Sequence, residues 1–263
     1  IRSADSDGDL LVQACSNDAQ VCAHAIRNLN RIAMGTAKMR WSQTGYGRTS
    51  STSVAQETPR NLFGFKDGTN NIKSEDSAAK LNEHLWVQKG DDSGANWMVG
   101  GTYFVARKIH MFAEMWDNLR LIEQEQTFGR DKRYGAPLNV ASPTSGKDEF
   151  KPIDFKAKNK EGELEVPADS HIAIVNPEQN KGRWMLRRGY NYTEGSDALG
   201  RLSAGLFFIA FVRDPRTNFY PILDKMTQKD ALSEYLQHQA RALFAIPAGI
   251  GQSDTMVGQA LFS

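Results

Sequence analysis

Residues Thr102–Gln126, TYFVARKIHMFAEMWDNLRLIEQEQ, carry the change of period on which the fold class turns. Apolar residues alternate well enough from Thr102 to Phe112 to predict a strand. From Ala113 to Gln126 the spacing becomes that of a helix, through Met115, Trp116, Leu119 and Ile122. The same unit recurs on both sides. Upstream, Asp9–Cys15 reads as a short strand, and Ser16-Asn17-Asp18 offers N-caps for an amphipathic helix running to about Ala33. Downstream, the β-branched run His171–Val175 and the stretch Gly205–Val212 read as strands, Ala231–Gln237 as a helix and Ala242–Pro247 as a last strand. Strands and helices segregate in short αβ units. Residues 41–60, rich in Ser, Thr and Gly without sustained periodicity, suit an exposed connection between two domains. Residues 143–163 mix Lys, Asp, Glu and Gly and read as a solvated loop or weak hairpin.

At 263 residues and 40% hydrophobic content the chain can bury a core, as one large domain or two small ones. Its 32 Lys and Arg balance 31 Asp and Glu, which gives no reason to expect a nucleic acid or an anionic membrane as partner. The longest apolar stretch, Leu206–Val212, is too short to cross a bilayer. The abrupt polar start at Ile1 leads us to expect a segment upstream. Cys15 and Cys22 would sit about two turns apart on one continuous helix, too far for an unstrained disulfide, and read as two buried small hydrophobes. Dinucleotide-type glycine fingerprints, P-loops and internal repeats are lacking.

Three segments can carry chemistry. In Asn61-Leu62-Phe63-Gly64-Phe65-Lys66-Asp67-Gly68-Thr69-Asn70-Asn71, two glycines flank an acid after an apolar lead-in, so Asp67 can be held on a tight turn against something flat or bulky, or can be only a turn residue. In Asp169-Ser170-His171-Ile172-Ala173-Ile174-Val175-Asn176-Pro177, one imidazole stands among apolar neighbours. That is the setting of an axial iron ligand and equally of a satisfied core histidine. His24, His84, His110 and His238 show no zinc-ligand spacing. In Met185-Leu186-Arg187-Arg188-Gly189-Tyr190, two adjacent guanidiniums follow an apolar lead-in, and strand alternation would turn only one of them inward.

With Phe207-Phe208-Ile209-Ala210-Phe211-Val212-Arg213-Asp214-Pro215, these segments stand in the order found in dye-decolorising haem peroxidases. The whole chain resembles their secreted bacterial branch, the EfeB-like peroxidase/deferrochelatases of ferrous-iron uptake. The resemblance implies two ferredoxin-like α+β domains, antiparallel sheets with peripheral helices. Residues 1–55 would be the C-terminal part of a first domain incomplete at its N-terminus, and residues 56–263 the haem-binding domain. It implies one haem b per chain with His171 as proximal iron ligand, Asp67 as distal acid and Arg187 facing the peroxide. Gly68, Thr69, Asn70, Asn176, Pro177 and Glu178 match positions lining the haem. Many members carry an Arg two residues after the proximal His, where this chain has Ala173.

Hydrogen peroxide would be reduced through a high-valent iron state, with organic dyes, phenols or ferrous iron as reductants. Asp67 is expected to move the proton and Arg187 to stabilise developing negative charge, with activity highest on the acid side of neutrality. Glu234, with Asp230 one turn earlier, is the candidate carboxylate for the second nitrogen of His171. Leu206 and Phe208 are candidate cofactor walls, and Trp184 and Tyr190 candidate relays to bulky dyes. The resemblance also implies export by the twin-arginine route to the periplasm or cell surface, a homodimer, and iron-uptake proteins as partners. Two other readings stand beside it: a deferrochelatase that takes iron from haem and leaves the porphyrin intact, and a ferredoxin-like binding protein without haem.

Overall fold

In the computed structural model, which describes residues 1–47, 51–53 and 55–262, a 3-10 turn at Ser3–Asp5 precedes the first α-helix, α1, Ala19–Ile32, capped as expected by the Asp18 side chain on the Gln20 N–H at 2.8 Å. It buries none of its residues and leaves Val21, Leu29 and Ile32 exposed. Asp9–Cys15 forms no strand; it is the preceding residues that reach the β5 side of the sheet, the Arg2 and Asp7 N–H groups donating to the Gln239 and Arg241 carbonyls at 2.6 and 2.9 Å. Cys15 is exposed, Cys22 half-buried, and both are free, so neither fills a core.

From α2, Ala78–His84, the chain enters the central sheet through β1, Thr102–Met111, the strand that the alternation predicts. The expected single helix after it is two, α3, Ala113–Asp117, and α4, Leu121–Phe128. Glu123 turns its carboxylate back onto the Arg120 N–H at 2.8 Å and starts a new helix there. Only Trp116 of the presumed apolar stripe is fully buried, while Met115 and Ile122 are exposed.

His171–Val175 is a helix, α5, and not a strand. Its Ile172, Ala173 and Ile174 are all buried, and it packs on α7, Tyr220–Lys229. Tertiary burial overrides the β-propensity of the run, and Pro177 holds Asn176 in extended backbone and ends the helix.

Strands β2, Leu186–Arg187, β3, Tyr190–Ser196, β4, Leu202–Val212, and β5, Leu236–Ile246, complete the sheet, with the short α6, Pro215–Asn218, before α7. Ala231–Tyr235 is a 3-10 turn rather than a helix, and β5 begins six residues before the predicted Ala242. The order is β2-β4-β1-β5 with β3 also on β4, every pair antiparallel. Counting β2 and β3 as one interrupted strand, this is a β-α-β-β-α-β ferredoxin-like domain, its fourth strand beside the first and its third beside the second.

One face of the sheet presents Arg107, Ile109 and Met111 of β1, Leu206 and Phe208 of β4, and Leu236 and His238 of β5 to a cavity. At its side an aromatic cluster stacks Phe63 on Trp116 at 4.4 Å and Phe65 on Phe128 at 4.0 Å. Such contacts are worth about 0.5–1.5 kcal/mol each beyond their buried area, and they anchor the lead-in to Asp67. Within 41–60, Ser51 and Thr58 are buried, so this segment is not simply an exposed connection; Arg48, Thr49, Ser50 and Val54 lie outside the described residues. The 143–163 segment is likewise more than a solvated loop: it folds a 3-10 turn, Gly146–Phe150, that buries Asp148 and Glu149.

Candidate functional site

The cavity, about 1770 Å³ counted out to its open mouth, lies between the sheet face, the loop bearing Asp67, and α5 with α7. Of the residues singled out from the sequence, Asp67, Gly68, Thr69, Asn70, His171, Asn176, Pro177, Arg187 and Phe208 all line it. Glu178 does not; it lines a smaller recess that shares Thr69, Asn70, Asn176, Pro177 and Trp184 with the cavity. Glu234 is exposed and lines neither.

His171 starts α5 and is fixed by Asp230, whose Oδ2 lies 2.7 Å from its Nδ1. The Asp230 side chain has no solvent exposure, and its other oxygen accepts the Leu232 N–H at 2.9 Å. The carboxylate on the second nitrogen is therefore Asp230 and not Glu234. The 231–235 turn is capped by Asp230 and aims Glu234 outward, where a regular helix would have brought the two acids onto one face. With a carboxylate on Nδ1, the proton sits there and Nε2 keeps its lone pair for a ligand.

Across the cavity, the Arg187 Nη1 donates to Asp67 Oδ1 at 3.1 Å and its Nη2 to the Asn70 carbonyl at 3.3 Å. Asn71 holds this pair from behind, its amide oxygen accepting the Arg187 N–H at 2.8 Å and its nitrogen donating to the Arg187 carbonyl at 3.0 Å. Arg188 turns away, and only Arg187 reaches the cavity, as strand alternation predicts. The acid and the guanidinium side chains are 27% and 24% exposed, open enough for a small reactant to reach both.

Several participants were not singled out in the sequence. Glu149 is buried against Lys66, Nζ to Oε1 2.6 Å, and accepts the Thr69 hydroxyl at 2.6 Å. Arg130 donates to the Gly135 and Glu149 carbonyls at 2.6 and 2.9 Å. Burial pulls its pKa down to about 10, with Glu149 opposing the shift, so it stays charged at neutral pH. Arg107 and Arg183 line the cavity with no acidic partner among the described residues. His238 lines it with Nδ1 buried and unpaired, and burial, reinforced by Arg107, lowers its pKa to about 4. None of these residues carries a motif signal of its own, and Glu149 lies in the 143–163 segment that reads from sequence as a solvated loop. Trp184 lines both spaces and lies under Lys80, Nζ 3.8 Å from the ring centroid. Tyr190 lines neither, and its hydroxyl lies 3.5 Å from Cys15 Sγ.

The donors suit one kind of ligand. No group of three or more His, Cys, Asp or Glu could hold a bare metal ion among the described residues. One imidazole with a free Nε2, broad apolar walls and, among the described residues, two guanidiniums without an acidic partner instead match a metal already carried in a large, flat, anionic ring. The fold and site thus define a ferredoxin-like protein in which a carboxylate-backed imidazole and an Asp–Arg pair line one broad, largely apolar cavity. Residues 58–251 match the family described as "Dyp-type peroxidase, C-terminal" and residues 1–47 "Dyp-type peroxidase, N-terminal"; the chain belongs to the Dyp-type peroxidase family.

Its relatives agree. It is 35% identical over 243 residues to a dye-decolorizing peroxidase of Thermobifida fusca, covering 92% of this chain and 55% of that one. To a deferrochelatase of Yersinia pseudotuberculosis it is 34% identical over 257 residues, 97% of this chain and 57% of that one. The chain thus spans little more than half the length of these curated relatives. An oxyferrous complex of DtpA from Streptomyces lividans superposes with TM-score 0.90 at 36% identity, over 100% of this chain and 69% of that one. A DyP-type peroxidase from Streptomyces coelicolor gives 0.89 at 37%, over 99% and 68%.

Proposed function

We propose that this chain holds one haem b on His171 and uses hydrogen peroxide to oxidise bulky dyes, phenols or ferrous iron. The observation that carries the reading is the pairing, across one cavity, of an imidazole backed by a buried carboxylate with an Asp67–Arg187 pair open to small reactants. The names of the relatives, and the oxyferrous state of the Streptomyces lividans structure, support it. Bound haem supplies a redox-active iron and a conjugated ring able to give up electrons.

The residues divide the remaining work. His171 would offer Nε2 to the iron, and Asp230, by accepting a hydrogen bond from Nδ1–H, would make Nε2 a stronger donor. Leu206 and Phe208 would form apolar walls, and Arg183 and Arg107, the latter lying over the Phe219 ring, would supply positive charge to carboxylates of the ring. Asp67 takes a proton from one peroxide oxygen and returns it to the other, so that water leaves, and Arg187 stabilises the negative charge that builds on the departing oxygen. Trp184, on both the cavity and the recess, is the better-placed relay to a dye too large to enter. Export by the twin-arginine route to the periplasm or cell surface, a homodimer and iron-uptake partner proteins extend this proposal, supported by the likeness to the deferrochelatases. Among the described residues no helix is long and apolar enough to cross a membrane.

Those relatives also carry a second reading, removal of iron from haem with the porphyrin intact. Steady-state assays decide between them. Asp67→Asn should keep the haem absorption bands while dye oxidation by peroxide falls by about 10²–10⁴-fold; unchanged turnover would remove Asp67 from the reaction. Free porphyrin accumulating from haem without peroxide turnover would favour the second reading.

A further inference from the structure

The loop bearing Asp67 is held on both sides by one buried carboxylate. Lys66 precedes Asp67 and Thr69 follows it by two residues. Glu149, more than eighty residues away in the Gly146–Phe150 turn, gives one oxygen to the Lys66 ammonium and the other to the Thr69 hydroxyl, both at 2.6 Å. The Lys66 and Glu149 side chains are only 6% and 3% exposed. Lys66 also donates to the Gly146 carbonyl at 3.2 Å, so it spans the start of the same turn. Arg130 fixes that turn in its place by donating to the Glu149 carbonyl. Gly135, at φ +78°, brings its backbone so close that an added Cβ would lie 2.8 Å from Lys66 Cδ.

A pair so well buried adds little net stability, because desolvation offsets the attraction between its charges. Its geometric effect is larger. Two anchor points three residues apart, with the Asp67 N–H on the Pro59 carbonyl at 2.8 Å, leave the intervening acid and Gly68 little freedom, and Asp67 meets Arg187 from that fixed position. We propose that Glu149 is a positioning residue for the reaction, clamping Lys66 and Thr69 so that the Asp67 carboxylate points at the reactant. This rests on the peroxidase reading for its catalytic consequence but not for the clamp itself.

The test uses the full chain, with and without haem, as wild type, Glu149→Gln, and the double variant Lys66→Met/Glu149→Leu. The double variant removes both charges at similar volume and guards against misfolding from a lone buried ammonium. Amide hydrogen exchange of the 63–73 segment should quicken by about tenfold in both variants while the sheet strands keep their protection. In the haem-loaded protein kcat should fall by about tenfold or more with KM for the dye unchanged, since small misplacements of a reacting group are that costly. A stable double variant with wild-type exchange and wild-type kcat would make the pair mere scaffold and overturn the proposal. If instead the wild type consumes no peroxide, the functional reading fails, and exchange alone still decides whether Glu149 holds the loop.

Discussion

Asp230 serves two masters with its two oxygens, capping the Leu232 N–H and receiving Nδ1 of His171. Asparagine could keep the first bond but would present an N–H₂ where the imidazole needs an acceptor. The ring would then move its proton to Nε2, the nitrogen that must be free. Asp230→Asn should therefore leave melting almost unchanged and weaken haem affinity about 10–100-fold, read by titration of the apo-protein; affinity at the wild-type level would show that Asp230 does not set the tautomer. His171, Asp67 and Arg187 were legible because each stands in a local pattern, an imidazole among aliphatics, an acid between glycines, a paired guanidinium on an apolar lead-in. Asp230 against Glu234 was not, because the two acids are four residues apart and share a face only if 231–235 is a regular helix, whereas it is a tighter 3-10 turn. Glu149 was out of reach altogether, since the pairing of 66–69 with 149 is purely tertiary.

The helix α5 presents the imidazole, and what seats it is the end of α4. Gly129 closes α4 in the left-handed region at φ +81°, with room for no side chain: a Cβ there would lie 2.7 Å from both Ile172 Cγ1 and Ser170 Oγ. Gly129→Ala should combine left-handed strain with a push on the first turn of α5, lowering stability by about 1–3 kcal/mol in urea melts and weakening haem uptake along with it. Wild-type stability and uptake would mean that α5 is not seated on this cap. Elements with a clear local signal were readable: α1 from its cap cluster, β1 from alternation and β4 from its unbroken apolar run. Those ruled by their neighbours were not. The run 171–175 has strand-like residues, yet with Ile172, Ala173 and Ile174 buried and the segment packed on α7 it forms a helix, and the 113–126 helix breaks where Glu123 caps Arg120.

For the whole molecule, three histidines add to the loss of stability in mild acid. Burial lowers the pKa of His84 and His110 and takes His238 to about 4, where the unfolded chain has about 6.5. Between those values the unfolded state binds more protons than the folded one, so the contribution is complete above pH 6.5 and lost as pH falls toward 4. For His238 this amounts to roughly 3 kcal/mol at most. Urea midpoints of the apo-protein should drop from pH 7 to pH 4.5, and more gently in His238→Leu; parallel slopes in the two proteins would show that His238 does not titrate this way.

The central claim, that the cavity holds haem on His171, is tested most directly by the absorption spectrum of the haem-reconstituted protein beside that of His171→Ala. A sharp ferric Soret band in the wild type, lost or shifted in the variant at equal folded concentration, is the predicted result. Identical spectra in the two proteins, or no haem taken up by the wild type, would contradict it.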